Sequence, residues 1–317
     1  MAPRMSDPLR LDEGFECGSV ITAQDRASVL SFAQRAEVAG FDSLWTGDHV
    51  SFYIPILESL TLLSFVAAAT ERVKLGTAVY LVPLRHPTTT AKVAASLDVL
   101  AGGRLVLGVG VGGEFPPEFK ACGVPVEERG SRTNEAIPLL RRLWSENGVK
   151  HEGRHFSFGP VSLDPKPVQA GGPPILVGGR KAPAFRRAGR HGDGYISHMC
   201  SPEMYRENLD AIRGHAEKAG RRDVRFQTSA FIFTRLGDDY EECLKSTAGM
   251  LQMIYNRPFE DAARKYCLLG RTDDCLEQMR AFARAGCRSF ILSPLMDATE
   301  FLERAERDLL PHIRSIA

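Results

Sequence analysis

From Phe15 onward the chain alternates, almost to its end, between short apolar runs rich in β-branched residues and longer stretches with helical spacing. That rhythm constrains the fold more than any other feature. A strand buried on both faces reads as an apolar run, and the return to a parallel neighbour needs a helical crossover. The spacing predicts strands at Phe15 to Ile21, Phe41 to Thr46, Val73 to Val82, Arg104 to Gly110, Ile175 to Val177, Gly194 to Ser197, 225 to 234 and 288 to 293. Helices are predicted near Asp25 to Ala39, Ser59 to Thr70, Pro87 to Leu100, Glu127 to Ser145, Ala182 to His191, 202 to 219 and Ala298 to Ile316. Gly40 suits the end of the first helix and Pro87 the first turn of the third.

Two stretches break the rhythm. Asn147 to Pro173, rich in Gly, Pro, His and Phe, reads as a hairpin and loop inserted after strand four. Asp238 to Ala285, after strand seven, has a largely helical pattern longer than one crossover needs, and is expected to hold an oligomer contact or a lid. Eight strands favour a closed (β/α)8 TIM barrel over an open doubly wound sheet. The expectation is one barrel domain at residues 15–317 behind a flexible N-terminus at 1–14. A chain of 317 residues has room for it, since such barrels take roughly 250 residues and more.

Composition narrows the partners. Apolar residues at 44% and charged residues at 25% exclude general disorder. Forty basic against 39 acidic residues leave a formal charge of +1, which gives no broad field to draw in nucleic acid or an anionic membrane. The expected partner is a small molecule. The seven cysteines form no C-x-x-C pair and read as reduced thiols. There is no signal-peptide apolar run of about 7 to 15 residues near the start, and no stretch approaches the roughly 20 apolar residues of a membrane span. These features lead to an expectation of a cytoplasmic protein.

In parallel barrels the reactive groups stand at the C-terminal ends of the strands. Strand two ends in Asp48-His49, with Tyr53 shortly after. A carboxylate beside an imidazole can fix its tautomer and place a titrating nitrogen at the barrel mouth, or the pair can simply cap a loop. Strand three ends in Gly76-Thr77-Ala78-Val79, small enough for a flat ring to approach, while Arg85 and His86 beyond it read as structural. Strand four ends in Gly108-Val109-Gly110-Val111-Gly112-Gly113-Glu114, where alternating glycines strip side chains from the mouth and expose amides. Bulges and tight strand ends also use glycine. Strand five leads into Gly178-Gly179-Arg180-Lys181 directly before a helix, which is the makings of a phosphate site. His198, at the end of strand six, reads as a partly buried structural histidine.

Absences narrow the chemistry further. No lysine falls at a predicted strand's C-terminal end, which counts against a Schiff-base aldolase. No His-x-His opens strand one, and the scattered histidines give thin support for a metal. No P-loop, G-x-S-x-G elbow or dinucleotide fingerprint after a first strand is present.

The run Gly76-Thr77-Ala78-Val79 through Arg85-His86-Pro87, then Leu97-Asp98-Val99-Leu100, Gly102-Gly103-Arg104 and Gly108-Val109-Gly110-Val111-Gly112, resembles the bacterial luciferase-like monooxygenase family, including its relatives that use coenzyme F-420. Phe41-Asp42-Ser43-Leu44-Trp45, Asp48-His49, Glu128-Arg129-Gly130 and Ile175-Leu176-Val177-Gly178-Gly179 extend the resemblance over about residues 15 to 200. It implies a flavin or deazaflavin ring at the barrel mouth, beside a non-prolyl cis peptide that would fall at Ala78-Val79. It further implies that Asp48 contacts the ring, that His49 transfers a proton, and that Gly178 with Gly179 holds the phosphate. In a deazaflavin-using sugar phosphate dehydrogenase of this family, an aromatic residue after the Asp-His pair and a glutamate after strand four aid catalysis, and Tyr53 and Glu114 occupy similar places here. True luciferase subunits carry an arginine near the place of Val111 that meets the FMN phosphate. Its absence favours coenzyme F-420, although Arg180 and Lys181 could still serve FMN.

The expectation is therefore an F-420-dependent oxidoreductase acting on a small organic substrate, as a homodimer. The alternatives are an FMN-dependent monooxygenase served by a separate flavin reductase, a cofactor-binding barrel without turnover, and a cofactor-free hydrolase or isomerase.

Overall fold

The computed structural model describes residues 7–316. Along the chain, eight parallel-type strands, Glu16–Val20, Ser43–Thr46, Lys74–Thr77, Leu105–Gly110, Ile175–Gly178, Gly194–His198, Val224–Leu236 and Ser289–Pro294, alternate with helices. This is the (β/α)8 barrel fold, with insertions after the fourth and seventh strands. The residues group into two units, one running up to Trp45 and from Leu176 onward, the other from Thr46 to Ile175.

In the first unit, parallel pairing sets Gly18 opposite Ser43, Glu16 opposite Ser289, Ser229 opposite Ser289, and Gly194 opposite both Gln227 and Leu176. Gly18 has a steric reason to lack a side chain. A Cβ there would stand 2.2 Å from Ser43 Oγ, which accepts a 2.8 Å hydrogen bond from Trp45 Nε1. Asp25 caps the helix Arg26–Ala39 through the amides of Ala27 and Ser28, and Gly40 closes it at φ 100°. The stretch from 238 to 285 is helical, at Tyr240–Tyr255, Glu260–Tyr266 and Thr272–Arg284. It also holds a short strand, Leu268–Gly270, paired with Thr234 to Leu236. Much of this segment is core, with Leu244, Leu251, Phe259 and Cys267 packing with Phe233 and Leu295.

Two details of the first unit differ from the expectations. Leu9–Leu11, assigned to a flexible terminus, forms a strand against Val224 to Phe226 and buries Leu9; residues 1–6 lie outside the described residues. The final helix is not continuous. Ala298–Arg304 passes through a wider turn at Ala305–Leu309 before Leu310–Ile313, because Pro311 has no N–H to donate and its ring crowds the preceding turn.

In the second unit, Leu75 pairs with Leu105, and Tyr80–Leu81 pairs with Val109 and Gly110. The third strand is thus shorter than expected, broken at Ala78 and Val79. The helices Ser59–Ala67, Pro87–Leu100 and Arg129–Ser145 pack around these strands through residues such as Leu63, Val66, Ala91, Ala94, Leu97 and Leu140. Arg104 joins them by donating to the carbonyls of Ala67, Thr70, Val73 and Ala101, so one guanidinium ties the ends of two helices to the approach to the third strand. The expected inserted hairpin is Val149–Glu152 against Ser157–Val161. Glu135 anchors it, accepting from His151 Nε2 at 2.9 Å and from the amides of Phe156 and His155 at 3.0 and 3.1 Å. No helix among the described residues is long and apolar enough to cross a membrane.

Candidate active site

The loop after the second strand brings His49 to a buried carboxylate, but not the one beside it in sequence. His49 Nδ1 lies 3.0 and 3.2 Å from the two oxygens of Glu118, and the amide of Val50 donates to Glu118 Oε2 at 3.1 Å. Glu118 is fully buried, in the short helix Pro116–Ala121 that follows strand four. An ionised carboxylate only accepts, so the ring nitrogen facing it carries a proton, and Nε2 is left as the nitrogen that can exchange one. One face of the imidazole is covered by Phe52, stacked at 3.9 Å between ring centroids and 14° between planes. Phe115 meets Tyr53 edge to face at 4.9 Å and Phe52 at 6.1 Å. The result is an aromatic wall beside the His49 ring.

Asp48 performs a different task. Its carboxylate is buried, with Arg85 clamped on both oxygens at 2.5 and 2.9 Å, Ser59 Oγ donating at 3.2 Å and the Leu81 amide at 2.8 Å. The expectation that Asp48 orients the neighbouring imidazole is corrected: its acceptor capacity goes to Arg85, Ser59 and Leu81, and Glu118 orients His49. The reading of Arg85 as structural is supported. Burial depresses the Arg85 guanidinium, but Asp48 more than offsets this and holds it above its usual range. Arg85 also lies 4.2 Å over the Tyr80 ring, whose hydroxyl burial pushes up to about 12.

The Ala78–Val79 peptide is cis, at the position that the resemblance implied. The strand-four glycines serve a tighter purpose than clearing space for a ligand. A Cβ on Gly110 would stand 2.2 Å from Val79 Cγ2. One on Gly112, at φ 60°, would press on Leu81, and one on Gly113, at φ 112°, on Arg129. These glycines admit neighbouring side chains, so Gly110→Leu would collide with Val79 before it met any ring. Glu114 is exposed at the start of the same loop, and Tyr53 is 47% exposed beside Phe115.

In the first unit, Gly178, Gly179, Arg180 and Lys181 form the turn from strand five into the helix Ala182–His191. Gly179 sits at φ 145°, and a Cβ there would lie 2.5 Å from the Ala184 Cβ, so the approach to the helix requires glycine. Its carbonyl accepts from the Tyr195 hydroxyl at 2.8 Å. No side chain caps the helix, Pro183 occupies its first turn, and Arg180 and Lys181 are exposed beside it. That donor set suits a phosphate. His198 is packed against the rings of Phe231 and Phe233, and burial, with Arg180 and Arg257 nearby, drives its pKa down to about 4. It is therefore neutral near pH 7, in keeping with a structural histidine.

Sequence reasoning missed Glu118. The available signal was a carboxylate set between Phe115 and Phe119 in a short helix: an acid that shares a buried face needs a partner.

A model of the luciferase-like monooxygenase family matches residues 14–289. A protein of Kineococcus radiotolerans named F420-dependent glucose-6-phosphate dehydrogenase is 29% identical over 316 residues, covering 89% of this chain and 92% of that one. A protein of the same name from Rhodococcus erythropolis is 29% identical over 323 residues, covering 91% and 94%. Among solved structures, an F420-dependent secondary alcohol dehydrogenase in complex with an F420-acetone adduct superposes with a TM-score of 0.85 at 22% identity, over 95% of this chain and 99% of that one. A monooxygenase from Streptomyces bottropensis gives a TM-score of 0.79 at 26% identity, over 94% and 99%.

Proposed function

This chain belongs to the luciferase-like monooxygenase family, and on that premise we propose that it is an oxidoreductase which binds coenzyme F-420 and catalyses hydride transfer to or from a small organic substrate. The observation that carries the reading is the imidazole of His49, held at Nδ1 by a buried carboxylate and backed by Phe52, so that Nε2 is the nitrogen able to move a proton. The near full-length relatives named for F420 dependence support the choice of cofactor, as does Val111, near whose place the family resemblance implies a phosphate-binding arginine in luciferase subunits.

When bound, the deazaflavin supplies the two-electron acceptor or donor, and the protein supplies orientation and proton management. Gly178, Gly179 and the start of the helix Ala182–His191, with Arg180 and Lys181, hold the phosphate-bearing tail. The Ala78–Val79 backbone and the Gly110 to Gly113 strand end support the ring. His49 Nε2 takes a proton from the substrate hydroxyl, or returns it in the reverse direction. Glu114 would supply the proton taken up at the ring along with the hydride, or accept it in the reverse direction, and Tyr53 with Phe115 keeps water from the reacting groups. The Asp48 carboxylate acts through the loop it braces.

The likeness to a Streptomyces protein named a monooxygenase, at 26% identity, favours oxygenation as a second reading, for which FMN with a separate flavin reductase is the alternative cofactor system. Spectral titration of the protein with oxidised coenzyme F-420 and with FMN, side by side, separates the two. The expected outcome is saturable binding of coenzyme F-420 and substrate turnover without oxygen uptake. Tight FMN binding with oxygen consumption would establish the second reading, and no spectral change with either would reject both. The seven unpaired cysteines support placing the enzyme in a reducing, cytoplasmic compartment.

A further inference from the structure

We propose that Glu118 is a positioning residue that sets the tautomer of His49, so that the neutral imidazole presents an unprotonated Nε2. The assignment rests on the proton-transfer role proposed for His49, and its argument is geometric. Glu118 has three short approaches: His49 Nδ1 at 3.0 Å to Oε1 and 3.2 Å to Oε2, and the Val50 amide at 3.1 Å to Oε2. The amide is a donor that cannot change its nature, so one oxygen is committed to it. A carboxylate has a second acceptor for the ring, which must then face it with Nδ1–H. Stacking on Phe52 at 3.9 Å fixes the imidazole plane while Glu118 fixes its rotation. The same residue thus grips His49 at its ring and the following residue at its backbone, across 69 positions of sequence.

The conservative substitution makes the idea testable. In Glu118→Gln the single oxygen is claimed by the Val50 amide, and the –NH2 group turns toward the ring. An –NH2 group donates, so Nδ1 must accept, and the proton moves to Nε2. The variant keeps size and burial but inverts the tautomer. A carboxylate serving only to pack the helix Pro116–Ala121 predicts no such inversion.

The experiment is long-range 1H–15N NMR of the full chain labelled at its histidine ring nitrogens, without cofactor or substrate, with His49→Gln identifying the His49 signals. In the wild-type protein with the His49 ring neutral, Nε2 is expected at the unprotonated 15N position and Nδ1 at the protonated one. In E118Q the two positions are expected to exchange. Turnover in E118Q is expected to fall about 10- to 100-fold in kcat, with the cofactor Kd within about twofold of wild type, the size of loss typical of groups that orient a first ligand or base. A wild-type ring with its proton on Nε2 would overturn the proposal, without need of any variant. An unchanged tautomer in a folded E118Q would do the same. Because the tautomer is read without cofactor, a protein that shows the expected exchange yet never turns over with coenzyme F-420 would reject the proposed function and leave this assignment standing.

Discussion

At the scale of the residue, burial turns ordinary side chains into committed ones. Asp48 and Arg85 form a clamp whose acid has no solvent exposure and whose base is 18% exposed. Removing one member of such a pair costs more than the pair itself contributes, because the other charge stays buried without its counterpart. Asp48→Asn is therefore expected to lower unfolding stability by about 3 kcal/mol, read as a lower urea midpoint at unchanged slope; a loss below about 1 kcal/mol would show the clamp to be unimportant. His198 gives a pH dependence of defined sign. Its folded pKa lies near 4 against an ordinary 6.5, so the unfolded chain binds the proton more readily between those values. Its contribution to stability is whole above about pH 6.5 and is lost progressively as the pH falls toward 4. Urea midpoints of His198→Phe are expected to fall less steeply than wild type across that window, and parallel curves would contradict this.

Elements place these residues where they act. The turn from the fifth strand into the helix Ala182–His191 is set by Gly179, because any side chain there would strike Ala184. This leaves an uncapped helix start flanked by Arg180 and Lys181. Charge-assisted hydrogen bonds contribute about 1.5–3 kcal/mol each, and exposure reduces that figure for these two. Arg180→Ala combined with Lys181→Ala is expected to raise the Kd for coenzyme F-420 at least tenfold by fluorescence titration, with kcat at saturation little changed. A Kd within twofold of wild type would remove the phosphate from this turn. The short helix Pro116–Ala121 shows the same logic, since it exists to carry Glu118 inward while Phe119 packs with Leu81, Leu84 and Val124.

For the whole molecule, the extra segment between the seventh and eighth strands was expected to hold an oligomer contact or a lid. Many of its apolar residues instead pack within its own unit, yet Met253 remains 70% exposed and Tyr240 40% exposed. We propose a homodimer. Light scattering at micromolar concentration is expected to give a mass near twice the 34.9 kDa of one chain, and a monomeric mass would reject it.

The sequence by itself determined the strand–helix alternation, the insertion after strand four, the glycine turn before the helix Ala182–His191 and the placing of His49 just after the second strand. All of these follow from periodicity, from backbone freedom or from chemistry carried by adjacent residues. It did not determine which carboxylate meets His49. Asp48 is adjacent and Glu118 is 69 positions away, and only folding decided that Arg85, Ser59 and the Leu81 amide would take the first and leave His49 to the second. Nor could it show that Gly110 makes room for Val79, or that Leu9–Leu11 finds an edge on the seventh strand. Local rules fix how a segment folds; the pairing of buried charges and the filling of space depend on segments that meet only once the chain has closed.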